Sequence, residues 1–105
     1  MATTEVIELL RKYISLLNTN GISVYKAFLF GSYCSNTATD ASDIDVMIVS
    51  DKYDETDDEA AGKIWRLTRL VSTKIEPFII GKMKFSSDDV SPLIQQIKEK
   101  GIEIA

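Results

Sequence analysis

Two aspartates one residue apart, Asp43 and Asp45, are the side chains of this sequence whose type and spacing best suit chemistry. In a β-strand, residues i and i+2 project from the same face. The run from Asp43 to Val49 reads as a strand with Ile44, Val46 and Ile48 as its apolar face, so the two carboxylates stand side by side where an otherwise apolar strand begins. Like charges this close raise each other's pKa, and a cation between them removes the penalty. The chain contains no histidine. With oxygen ligands alone, magnesium or manganese is favoured over zinc.

Upstream lies Leu29-Phe30-Gly31-Ser32, separated from Asp43 by ten residues. It follows a second strand-like run and precedes a loop that begins as a short helical turn. Glycine lets a ligand approach the backbone, and the Ser32 hydroxyl with the N–H groups after it can donate to a phosphate. One side of such a site offers phosphate donors and the other metal ligands, a combination that suits a metal-bound nucleoside triphosphate. Glu76, in Lys74-Ile75-Glu76-Pro77-Phe78, is the candidate third carboxylate, on a strand expected beside the second. Two metals about 3.5–4 Å apart stabilise the attacking and leaving oxygens of an in-line displacement. The third acid would bind the second metal and help activate an acceptor hydroxyl.

The pattern Gly31-Ser32-x10-Asp43-x-Asp45, with Glu76 on a later strand, resembles the minimal nucleotidyltransferases of the polymerase-beta-like superfamily, over roughly Thr4 to Ile104. The resemblance implies magnesium-dependent transfer of a nucleoside monophosphate, usually AMP from ATP, onto a hydroxyl, with release of pyrophosphate. By position, Gly31 and Ser32 would hold the triphosphate, Asp43 and Asp45 the metals, and Glu76 would be the third carboxylate. It also implies a partner, because small members of this family often act with an all-helical protein of the HEPN class. There they resemble antitoxins that adenylylate a toxin's tyrosine.

The chain departs from the family's pattern twice. Members commonly carry a basic residue soon after the Gly-Ser pair, whereas residues 33–42 contain no lysine or arginine. The triphosphate charge must then be met by metal, by backbone N–H groups or by a residue from elsewhere, with Lys63, Arg66 and Lys74 as sources for the last. Larger members also have a following helical domain that grips the base and the acceptor, for which this chain has no room. A partner or a second copy would supply that surface. The rival reading is a catalytically weak or inactive binding subunit that neutralises a helical partner by contact. A phospho-receiver reading does not match the order of acids along the chain.

Other polar residues have plainer readings. Asp40 and Asp51 belong to loops, and the acids from Asp54 to Glu59 form a solvated helix start, where negative charge suits the macrodipole. Trp65 and Tyr33 read as packing residues. Cys34 has no activating neighbour in sequence and reads as structural.

These residues must be positioned by a small set of elements. Val6, Ile7, Leu10, Ile14 and Leu17 make one helical stripe over about Thr4 to Asn18, with Thr3 or Thr4 as cap and Asn20-Gly21 as stop. Strands are expected over Ser23 to Phe30, Asp43 to Val49 and Lys74 to Ile80. Thr56-x-x-Glu59 matches a capping box and opens a helix with Ala60, Ile64, Leu67 and Val71 on its buried face. Ser91-Pro92 caps a last helix through Leu93, Ile94 and Ile97 that ends at Gly101, with Ile102 and Ile104 as a tail or edge strand. Pro77 requires its strand to be an edge or to bulge there. The fold class is therefore α/β (α+β), a nucleotidyltransferase fold with a small mixed sheet of three to four strands and helices packed against it. That is too few strands for a doubly wound nucleotide fold, and no Gly-x-Gly-x-x-Gly or P-loop pattern occurs.

Length and charge set the outer bounds. The 105 residues fit a single domain spanning 1–105. The net charge is −4 with scattered bases, so autonomous nucleic-acid binding is not expected. No apolar run suits a bilayer span, the N-terminus has neither the basic nor the apolar segment of a signal peptide, and one cysteine makes no internal disulfide. The cytoplasm is the expected compartment.

Overall fold

The computed structural model describes residues 1–87 and 91–105. Its elements are α1 (Thr3–Thr19), β1 (Lys26–Phe30), a 3-10 turn (Gly31–Tyr33), β2 (Ile44–Ser50), α2 (Asp58–Thr68), β3 (Ile75–Gly81), α3 (Lys82–Ser87), α4 (Pro92–Lys100) and β4 (Ile102–Glu103). The strands form one mixed sheet in the order β3-β2-β1-β4. β1 is antiparallel to β2 and to β4, and β2 is parallel to β3. The expected sheet of three to four strands is thus a four-stranded one, with the C-terminal isoleucines recruited to an edge.

The sheet lies between two helical layers because its central strand is apolar on both faces. Ile44, Val46 and Ile48 face the larger cluster, built with Val6, Leu10, Ile14 and Leu17 of α1 and Ala60 and Ile64 of α2. Met47 and Val49 alternate to the opposite face and meet Phe85 of α3 and Ile94 and Ile97 of α4. The two helices of the first layer are tied together by Tyr13, whose buried hydroxyl donates to the carbonyl of Ile64 at 2.6 Å. On the second face Phe28 and Phe85 stack with ring centroids 5.4 Å apart.

Most expected boundaries fall within a residue or two of the observed ones, and the exceptions have physical causes. The first strand starts at Lys26 and not Ser23. Before it, the Ser23 hydroxyl donates to Asp51, and the Val24 N–H is taken by the Asn18 side chain. The cap of α1 is Ala2, not Thr3 or Thr4, and its N–H donates to Glu5. The cap of α2 is Asp57, which accepts from the N–H of Ala60 at 2.9 Å. Thr56 cannot fill that position because its N–H and hydroxyl both donate to Asp54. Ser91 does cap α4, accepting from Ile94 N–H, with Pro92 in the first turn. Pro77 sits on the outer strand of the sheet, where a missing N–H is tolerated. Among the described residues no helix is long and apolar enough to cross a membrane.

Candidate active site

β1 ends where β2 and β3 begin. The pairing there is Phe30 to Asp45 and Asp45 to Glu76, one row across three strands. Adjacent residues in a row share a face. Alternation from Met47 and Val49 puts this row on the face covered by α3 and α4. Two of the carboxylates expected from the sequence are therefore brought side by side: Asp45 and Glu76 are register partners on β2 and β3, and Glu76 acts on Asp45. Asp43, more exposed and just before β2, acts on Asp45 through charge. The Asp45 carboxyl is raised from its ordinary range to about 6, first by burial, then by the hydrogen bond and charge of Glu76, then by the charge of Asp43. Among the described residues, no three acidic or cysteine side chains are gathered into a closed ligand set.

Gly31 follows this row immediately and has φ +78°, a left-handed conformation that side chains resist. A Cβ at this position would stand 2.3 Å from Oδ2 of Asp45. The left-handed backbone thus favours glycine, and any side chain here would also oblige the Asp45 carboxylate to turn aside. The turn that follows is closed from within: the N–H groups of Cys34 and Ser35 donate to the carbonyl of Gly31, and that of Thr37 to the carbonyl of Ser32. The donors the turn can turn outward lie at its start, since the first N–H groups of any helical turn have no partner inside it.

Gly31 and Ser32 open toward different hollows. Gly31, with Phe30, Cys34 and Ser35, forms one wall of a groove of about 350 Å³ whose other wall is α4, through Leu93, Gln96, Ile97 and Lys100. Ser32 lines a smaller hollow against the start of α1. Cys34 has a structural part, its Sγ 2.9 Å from the Leu29 carbonyl and its thiol pushed up by burial.

The three bases named from the sequence are dispersed. Lys63 lines a hollow with Ile22 and Tyr53, and Arg66 one with Trp65 and Arg69. Lys74 stands at the acid end, before β3, but its ammonium donates to the carbonyl of Asp40. Lys100 was not among them. It comes 69 positions after Gly31 in the chain, and only the packing of α4 on β1 brings the two to one groove.

The nucleotidyltransferase domain family matches residues 7–104, nearly the whole chain, and the protein belongs to that family. Its class of activity is nucleotidyl transfer. A provisionally assigned nucleotidyltransferase from Sulfolobus solfataricus superposes with a TM-score of 0.63 at 14% identity, covering 81% of this chain and 75% of the other. A toxin-antitoxin structure with AMP-PNP superposes with a TM-score of 0.63 at 23% identity, covering 90% of this chain and 72% of the other. At these identities the two structures speak to the fold. No curated protein matches the sequence.

Proposed function

We infer that the protein is a metal-dependent nucleotidyltransferase that moves a nucleoside monophosphate, AMP from ATP, onto a hydroxyl of a protein or small molecule. The observation that carries this reading is the row Phe30-Asp45-Glu76, with Asp43 beside it and the backbone of Gly31 against Asp45. An all-oxygen set in which burial, Glu76 and Asp43 together raise the protonation of Asp45 suits a hard divalent cation, magnesium or manganese. Asp43 and Asp45 would hold it, and Glu76 would complete a second position. Bound there, the cation supplies charge neutralisation at the phosphoryl oxygens. Gly31 and Ser32 position the triphosphate, and Glu76 accepts the proton of the acceptor hydroxyl.

The acceptor we favour is a tyrosine or other hydroxyl of a small all-helical HEPN-type partner, with this chain as its antitoxin; a second copy of the chain is the other candidate for completing the site. Support comes from the likeness to a toxin-antitoxin structure holding AMP-PNP. The test is incubation with labelled ATP and magnesium, with and without the product of the neighbouring gene. Label on that product is expected, together with its loss for Asp45→Asn. If the Asp45→Asn protein neutralises the partner as well as wild type does, the chain works by contact alone and the enzymatic reading of the pair is wrong.

A further inference from the structure

A triphosphate brought to an end of the sheet already carrying three acids is better held where a cation adds to the metal and the backbone N–H groups, and residues 33–42 contain none. The groove between the turn after Gly31 and α4 supplies one. We propose that Lys100, reaching across the groove from the last turn of α4, is the side chain that meets the terminal phosphates of the nucleotide. This rests on the nucleotidyltransferase reading above and names the residue that replaces the missing base.

Three observations carry it. First, Lys100 shares one groove with Gly31 and Ser35, whereas Lys63 and Arg66 open on other hollows. Second, it is uncommitted among the described residues. Lys26 is paired with Glu103 and Lys84 with Glu55, Lys74 is spent on the Asp40 carbonyl, and Lys98 lies over the Phe85 ring. Among the described residues Lys100 has no carboxylate within ion-pair distance. Third, the groove is lined on both walls by apolar side chains, Phe30 on one and Leu93 and Ile97 on the other. Apolar walls of that kind weaken solvent screening and so strengthen a lysine–phosphate contact. The plain alternative is that Lys100 only complements the dipole at the C-terminus of α4, a service Lys98 also performs.

The experiment compares calorimetric binding of magnesium AMP-PNP and of AMP to wild type, Lys100→Ala, Lys100→Arg and Lys98→Ala, with thermal melts to establish that each variant is folded. The expected result is that Lys100→Ala weakens AMP-PNP binding about tenfold and leaves AMP unchanged, as loss of a charge-assisted contact to the outer phosphates requires. Lys100→Arg should restore most of the loss, and Lys98→Ala should behave as wild type. Equal AMP-PNP affinity for wild type and Lys100→Ala overturns the proposal and leaves the family reading intact. Equal loss of AMP and AMP-PNP also overturns it, placing the nucleoside half in the groove. No binding of AMP-PNP by wild type defeats the functional reading itself.

Discussion

Gly31 and Asp45 compete for the same space: the position a Cβ would take on residue 31 lies 2.3 Å from Oδ2 of Asp45. Because residue 31 is also at φ +78°, alanine there meets two penalties, one of backbone and one of contact. Gly31→Ala should cost about 1–3 kcal/mol of stability, read by chemical denaturation. The double variant Gly31→Ala/Asp45→Ala removes the contact and keeps the backbone strain. It should therefore be less destabilised than the sum of its singles. Strict additivity would show that the two residues do not touch in solution.

Asp45→Asn separates folding from chemistry. The substitution keeps the shape and removes one of two carboxylates held against each other. In metal-free buffer at pH 7.5 the variant should melt at or above wild type, while transfer activity falls by at least about a hundredfold, the scale expected when an electrostatic stabiliser of the reacting phosphoryl group is lost. A variant that melts well below wild type would instead assign Asp45 a structural part.

The pH dependence has a definite sign. Asp45 is raised to about 6 in the folded chain from an ordinary 3.8. The folded state therefore holds this proton more tightly than the unfolded one. The resulting stability is fully present below the ordinary value and disappears as the pH rises through about 6. After discounting for partial solvent screening, the loss should be about 1 kcal/mol, or roughly 4–8 °C in Tm. Melts at pH 5 and pH 7.5 without metal should show this component in wild type and lack it in Asp45→Asn. Magnesium should oppose the loss at pH 7.5 and do little at pH 5, where the proton competes for the same oxygens.

The cap of α2 tests a local correction. Asp57→Ala should cost about 1 kcal/mol because the N–H of Ala60 loses its acceptor, whereas Thr56→Ala should cost less. Neither residue lies in the row of Asp45 and Glu76, so activity at saturating nucleotide should be unchanged in both.

What could be read in advance was whatever depends on short-range periodicity. The i, i+2 spacing of Asp43 and Asp45, the stripe of α1 and the Ser91-Pro92 start of α4 are all local signals, and the structure reproduces each of those elements. The edge position demanded by Pro77 was legible too, because it follows from a missing N–H. Helix α3 was not: its six residues bury only Phe85, too little to make a pattern. The Asp57 cap was hidden by a competing hydroxyl that the fold commits to Asp54. The nearness of Asp45 to Glu76 depends on the register of a parallel pair, and that of Gly31 to Lys100 on a helix packing back over the sheet. Neither leaves a mark in the spacing of residues along the chain.

Glu76 lies on the outermost strand, with no further strand beyond it among the described residues. An acid in a central strand would be walled on two sides and would admit only something thin enough to thread down from above. On the proposed function, that outer flank would be a doorstep, where a bulky visitor presents a single hydroxyl from the side without having to be swallowed whole.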